Sequence, residues 1–224
     1  MNRMKRCLSL AVVLLLAATP PSAGAHQGNP SFRSIVHGFA KPVPGLSVQV
    51  IGYDAFMQLA NKSGKTVVIY GYDGEPYARL LADGTVQTNQ RSPALYLNED
   101  RFARVTVPPI ANPKAPPEWK TLDKTSQLIW HDHRMHWMAL TTPPQVKDKH
   151  RKTKIFDYRI PLRIGSQPNA IVGTLYWVGE AHGFPLPALI SIPLIVLLAI
   201  AGVYAIRRRR ESEGEVGTGG KEAW

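Results

Sequence analysis

The segment Ile155-Phe156-Asp157-Tyr158-Arg159-Ile160-Pro161-Leu162 alternates apolar residues with polar residues or proline from Phe156 onward. Successive side chains of an extended strand point to opposite faces, so this period of two predicts a strand with one face in a core. Leu46 to Val50 shows the same period, and residues 66–70 and 170–178 are rich in β-branched and aromatic side chains. The sequence therefore predicts a protein built mainly from strands.

Turn-forming residues separate these segments at short intervals. The predicted turns are Pro44-Gly45, residues 61–64, Asp73-Gly74, Asp83-Gly84 and residues 165–169. Several short strands at this spacing predict an all-β fold, an antiparallel β-sandwich of immunoglobulin-like type. The proline-rich stretch 108–117 is expected to form a long, stiff surface connection between two groups of strands.

The N-terminus has the features of a secretory signal peptide. Basic residues at positions 3, 5 and 6 precede an apolar run over residues 8–18, and small residues follow at 23–25. We therefore predict that residues 1–25 are a signal peptide and that cleavage leaves His26 as the first residue. A retained N-terminal membrane anchor is the alternative, although the apolar run is short for a bilayer span.

A second apolar run, from Leu186 to Ile206, contains no charged residue and is followed directly by four arginines. This pattern predicts a transmembrane helix at 184–206, with the arginines on the cytoplasmic side. Residues 26–183 would then form one extracytoplasmic domain and residues 207–224 a short cytoplasmic tail. The predicted location is the cell membrane, as a single-pass type I protein with its N-terminus outside. A buried core helix is the alternative interpretation of the same run.

Composition excludes several classes of site. The only cysteine, Cys7, lies in the predicted signal peptide, so the mature chain would have no disulfide, cysteine nucleophile, thiolate zinc site or blue-copper centre. The chain has a formal net charge of +11, and a basic exported domain suits an anionic cell envelope or membrane surface; an ordinary soluble basic surface is the alternative. We find no nucleic-acid recognition motif and expect no nucleic-acid partner. The common catalytic motifs are also absent, so an enzyme is not predicted.

The stretch Trp130-His131-Asp132-His133-Arg134-Met135-His136-Trp137-Met138 concentrates residues that bind metals. It holds three of the seven histidines and two of the five methionines of the chain. As a continuous strand, it would place His131, His133 and Met135 on one face and Asp132, Arg134 and His136 on the other. Imidazole and thioether ligands suit copper. The hypothesis is a copper site at His131, His133 and Met135, with His136 and His26 as further candidate ligands; the alternative is an ordinary edge strand.

The histidine pattern resembles that of periplasmic copper-binding proteins of the copper-resistance type, which are small β-sandwiches. In these proteins an N-terminal histidine and an Asp-x-His pair hold the metal. The resemblance implies His26 together with His131 and His133, because Arg134 cannot act as a ligand in the pair that begins at Asp132. Residues 157–177 are similar to the closing hairpin of such domains.

The whole layout is also similar to uncharacterised single-pass surface proteins of actinobacteria. In those proteins segments like Gly71 to Tyr77, Ser92 to Asn98 and Trp130 to Met138 recur. This resemblance implies one intact exported domain with an anchor. Two functions follow from the sequence. The first is a non-catalytic binding or adaptor domain of a bacterial cell envelope with a protein partner; the second is copper binding or delivery through the histidine cluster.

Overall fold

The computed structural model describes residues 28–180 and 186–216, which belong to two separate compact units. The strands of the first unit are β1 (Phe32–Phe39), β2 (Leu46–Ile51), β3 (Phe56–Asn61), β4 (Val67–Tyr70), β5 (Pro76–Leu80), β6 (Val86–Asn89), β7 (Trp119–Asp123), β8 (Gln127–Trp130), β9 (Thr153–Ile164) and β10 (Gln167–Trp177). A short helix α1 (Pro93–Leu97) and a 3-10 turn (His133–Met135) complete this unit, and α2 (Leu186–Val216) forms the second. The predicted signal peptide 1–25 and His26 lie outside the described residues.

The ten strands form two antiparallel sheets. One has seven strands in the order β1-β10-β9-β4-β5-β6-β7, and the other has three in the order β2-β3-β8. The prediction of a mostly β protein is confirmed, and the two antiparallel sheets are consistent with a β-sandwich. Strands close in sequence, such as β4, β5 and β6, are neighbours in the large sheet, as expected where short turns join them.

The long hairpin of β9 and β10 confirms the period of two from which the strand prediction came. Within β9, Tyr158, Ile160 and Leu162 are buried, whereas Arg159 and Pro161 between them are exposed. The turn joins Ile164 to Gln167, and Gly165 in it has a φ of 58°, a left-handed conformation that glycine adopts without steric cost.

Apolar side chains from both sheets make up the main core. Its fully buried members include Met57 and Leu59 from the small sheet and Ile69, Leu80, Ile160 and Leu162 from the large one. Burying one such side chain contributes about 1.5 to 3 kcal/mol. The small sheet is therefore held against the large one by side-chain packing.

A long connection, residues 90–118, links β6 to β7. Helix α1 begins at Pro93, a residue that suits the first helical position because the amide hydrogen it lacks would have no partner there. Ser92 precedes it with an extended backbone. The proline-rich residues 108–117 follow without regular helix or strand.

The second unit is described only from 186 to 216, where α2 runs for 31 residues and contains Pro193. Among the residues that the structure describes, no helix was found that is long and apolar enough to cross a membrane. The transmembrane helix predicted at 184–206 is therefore not supported.

We expect Ile160→Ala to lower the free energy of unfolding by about 2 to 5 kcal/mol, because it leaves a cavity between the sheets. The matched control is Arg159→Ala on the exposed face of the same strand, which should change that free energy by no more than about 0.5 kcal/mol. Urea unfolding followed by tryptophan fluorescence measures both. Equal losses in the two variants would contradict the assignment of faces.

Candidate metal centre

The histidine-rich stretch is a turn, and the prediction of a continuous strand there is wrong. Strand β8 ends at Trp130, and a 3-10 turn covers His133 to Met135. Asp132 caps this turn, since its Oδ1 accepts a hydrogen bond from the backbone N–H of Arg134 at 3.1 Å. A short side chain that binds nearby backbone in this way competes with strand pairing. The alternation of faces therefore stops at Trp130.

Asp132 and Arg134 form an ion pair in which the carboxylate is buried and the guanidinium is partly exposed. The guanidinium donates from Nη2 to Asp132 Oδ2 at 2.7 Å and from Nε to Oδ1 at 2.8 Å. Arg134 Nη2 also donates to the carbonyl of Tyr70 at 3.1 Å, which ties the turn to the end of β4. Burial opposes ionisation of Asp132, but the hydrogen bonds and the charge of Arg134, together with the hydrogen bond from Trp130, outweigh it and keep the pKa of this carboxyl below its usual value.

The turn brings three imidazole rings together. One potential ligand nitrogen from each of His131, His133 and His136 lies within 4.8 Å of the other two. The ring centroids are 4.5 Å apart for His131 and His136, 5.2 Å for His131 and His133, and 5.5 Å for His133 and His136. His136, placed on the opposite face by the strand hypothesis, thus joins the other two.

Each imidazole uses one ring nitrogen to hydrogen-bond a backbone carbonyl. The pairs are His131 Nδ1 with Ala55 O at 2.5 Å, His133 Nε2 with Asp100 O at 2.9 Å, and His136 Nδ1 with Trp137 O at 3.0 Å. A carbonyl only accepts, so these nitrogens carry the hydrogen and the second nitrogen of each ring keeps its lone pair.

The second nitrogens are therefore available as ligands. In the described part of the chain, Nε2 of His131 and Nε2 of His136 are buried and have no hydrogen-bond partner. Histidines that bind metals are usually oriented in this way, with the outer N–H on a carbonyl or carboxylate. A cation that accepts nitrogen ligands would satisfy these two buried nitrogens, which belong to rings whose centroids are 4.5 Å apart.

Burial also keeps the rings uncharged. It lowers the pKa of His131 and of His133 below the usual value, and it lowers the pKa of His136, which is 1 % exposed, to about 3, with a further contribution from neighbouring His131. At neutral pH all three rings are in the neutral form that binds metal ions.

Aromatic rings enclose the cluster. The ring of Tyr72 stacks on His133 with a centroid distance of 5.5 Å and an interplanar angle of 6°, and Phe56 approaches His131 edge-on at 6.2 Å. The Tyr72 hydroxyl accepts a hydrogen bond from the backbone N–H of His133 at 3.0 Å and donates one to Asn98 Oδ1. These contacts limit the motion of His133, which is half-buried.

Three segments noted in the sequence meet here. Tyr72 belongs to residues 71–77, Asn98 to residues 92–98, and His133 to residues 130–138. A second link joins the first two segments, since the Ser92 hydroxyl donates to the buried carboxylate of Glu75 at 2.5 Å. Segments that are far apart in the chain therefore build one structure around the histidines.

The ligand roles of the other two candidates, Met135 and His26, stay predictions. Met135 is fully buried and belongs to the main hydrophobic core, together with Trp130 and Met57. It shares no strand face with His131 and His133, because the strand has ended, and its role as a ligand stays a prediction. His26 lies outside the described residues, and its role also stays a prediction.

Comparisons with protein-family models, with curated proteins and with solved structures found no match to this chain. The resemblances to copper-resistance proteins and to actinobacterial surface proteins therefore stay predictions.

Stability of the metal-free protein should fall as the pH drops below about 6.5. The unfolded chain binds a proton at His136 near its usual pKa of about 6.5, whereas the folded chain binds it only near 3. Between these values protons favour the unfolded state, by up to about 1.4 kcal/mol per pH unit for this residue. Urea unfolding in the presence of a chelator, from pH 7.5 to 4, measures the slope.

The control for this prediction is His136→Gln, which removes the titrating ring. Its stability should depend less steeply on pH over the same interval. An identical slope in the two proteins would contradict a buried, neutral His136.

Proposed function

We propose that this protein binds copper and that its ligands are His131, His133 and His136. The observation that carries this proposal is that one potential ligand nitrogen from each of the three imidazoles lies within 4.8 Å of the other two, while each ring is oriented by a hydrogen bond to a backbone carbonyl. In the alternative, an ordinary edge strand, the histidine rings would be solvated and their nitrogens would hydrogen-bond water. Two buried ring nitrogens without partners do not fit that alternative. Of the two functions that the sequence suggests, copper binding or delivery has the stronger support.

Copper is favoured over other metals by the chemistry of the donors. The cluster offers neutral imidazole nitrogens and no carboxylate or thiolate, which disfavours magnesium and calcium. Zinc, nickel and copper all accept such ligands, but divalent copper binds most tightly to a given set of nitrogen donors. Because the site supplies nitrogen donors, we expect it to prefer Cu(II).

The number of ligands supports transfer of the ion rather than permanent storage. Three ligands from the described residues leave at least one coordination position for water, for the candidate ligands His26 and Met135, or for a donor from another molecule. His133, the half-buried ligand, is the one that solvent reaches most easily. An ion held by three neutral ligands with an open position can pass to a partner by ligand exchange, as copper delivery requires.

The location and finer fold type are proposals based on the sequence. The basic, apolar and small residues of 1–25 and the arginines after Ile206 support an exported domain at the outer face of a bacterial membrane, and the turn spacing supports an immunoglobulin-like type of sandwich. A non-catalytic adaptor with an envelope protein partner is compatible with this location. No contact in the described residues favours it over copper binding.

Copper titration of the full chain tests the function. We expect one Cu(II) per chain, with three nitrogen ligands in the electron spin resonance spectrum. Removal of one ligand by His136→Ala should weaken binding by at least about 100-fold, because even outer residues of metal sites contribute about 10- to 100-fold. The control is His150→Ala, which removes an exposed histidine outside the cluster and should bind copper like the unmodified protein.

Two results would contradict the proposal. Binding that survives His136→Ala, with circular dichroism showing a folded variant, would exclude the cluster as the site. Tighter binding of Zn(II) than of Cu(II) in direct competition would make this a zinc site. The variant His26→Ala, measured in the same way, decides whether the predicted N-terminal ligand contributes.

A further inference from the structure

We propose that the buried ion pair of Asp54 and Arg101 positions two of the three metal ligands, an inference that rests on the proposed function. Arg101 Nη2 lies 2.6 Å from Asp54 Oδ2. Asp54 is fully buried and Arg101 is 9 % exposed. Neither residue belongs to the histidine cluster, and neither has a pattern in the sequence that singles it out.

The positions of the two residues in the chain give the pair its role. Asp54 directly precedes Ala55, whose carbonyl accepts the hydrogen bond from His131 Nδ1. Arg101 directly follows Asp100, whose carbonyl accepts the hydrogen bond from His133 Nε2. The ion pair thus joins two backbone segments, separated by 47 residues in sequence, that orient two different ligands.

Each segment is a tight turn whose conformation the pair reinforces. Residues 52–55 connect β2 to β3, and Tyr53 there has a φ of 69°, an unfavourable conformation for a residue with a side chain. The second oxygen of Asp54, Oδ1, accepts from the backbone N–H of Asn29 at 2.8 Å, so both carboxylate oxygens are used. The carboxylate of Asp100 accepts from the N–H groups of Phe102 and Arg104, which closes the second turn.

The opposite charges of Asp54 and Arg101 also compensate each other. A buried ion pair is weak evidence for stability, since its desolvation cost is close to its electrostatic gain, but it fixes two groups in one geometry. The attraction between Asp54 and Arg101 holds the carbonyls of Ala55 and Asp100 at the distance that lets both rings converge. Metal ligands keep their affinity only when such outer contacts hold them in place.

Two single substitutions separate this positioning role from a simple effect of charge. Asp54→Asn leaves the Arg101 cation without its partner and should weaken Cu(II) binding for either reason. Arg101→Gln leaves a carboxylate, which would attract the metal if only charge mattered. Positioning by the pair predicts that both substitutions weaken binding, each by about 10-fold or more. Competition with a chelator of known affinity measures the change in the full chain.

Arg101→Lys and Leu80→Ala complete the set. Arg101→Lys keeps the charge but loses the planar guanidinium, so an intermediate loss of copper affinity is expected. If Arg101→Gln or Asp54→Asn does not fold, the affinity of Arg101→Lys decides between positioning and a simple effect of charge. Leu80→Ala destabilises the core next to Asn61, at the end of β3 away from Ala55, and should bind copper with unchanged affinity.

The outcomes are distinguishable. If Asp54→Asn and Arg101→Gln bind copper with the affinity of the unmodified protein, the positioning role is overturned while the copper site stays in place. Tighter copper binding by Arg101→Gln than by the unmodified protein would have the same meaning. Equal weakening in Leu80→Ala would also overturn it, because the loss would then follow stability alone. Absence of copper binding in the unmodified protein would overturn the proposed function itself. Changed nitrogen couplings in the spin resonance spectra of both Asp54→Asn and Arg101→Gln would support positioning.

Discussion

The buried carboxylate of Asp132 is the interaction on which the arrangement of the histidines depends. It caps the turn after β8, holds the guanidinium of Arg134, and accepts a hydrogen bond from the indole of Trp130 at 2.9 Å. Without this carboxylate the turn would lose its cap, and Arg134 would lose the partner that helps to hold it against the end of β4. A charge buried this deeply is stable only when its partners are fixed, so the turn forms as one unit.

The histidine cluster lowers the stability of the folded protein in the absence of a metal. Leaving a buried polar nitrogen without a partner costs about 1 to 3 kcal/mol, and two of the three rings have such a nitrogen. The packing of the two sheets supplies the stability that offsets this cost. An ion that binds the folded chain and not the unfolded chain would remove the penalty and add its own binding free energy. Stability and proposed function are thus linked through the same three nitrogens.

Part of this centre was predictable from sequence and part was not. The concentration of His131, His133 and His136 in one short stretch predicted a metal site, and the copper hypothesis followed from the donor types. The strand hypothesis placed His136 on the wrong face, because it ignored the capping ability of Asp132. The carbonyls of Ala55 and Asp100 had no signal in the sequence, since every residue has a carbonyl and only the fold decides which ones meet an imidazole.

The sequence by itself indicated strands β2, β4, β9 and β10, because alternating apolar side chains and runs of β-branched residues are local properties that burial then reinforces, as β9 shows. It also determined the inventory of donors, with histidines grouped in one place and cysteine confined to position 7. Only the tertiary structure decided which donors converge and how they are held. That outcome depends on contacts between distant segments, such as Tyr72 with His133 and Asp54 with Arg101, whose geometry exists only after the sheets have packed together.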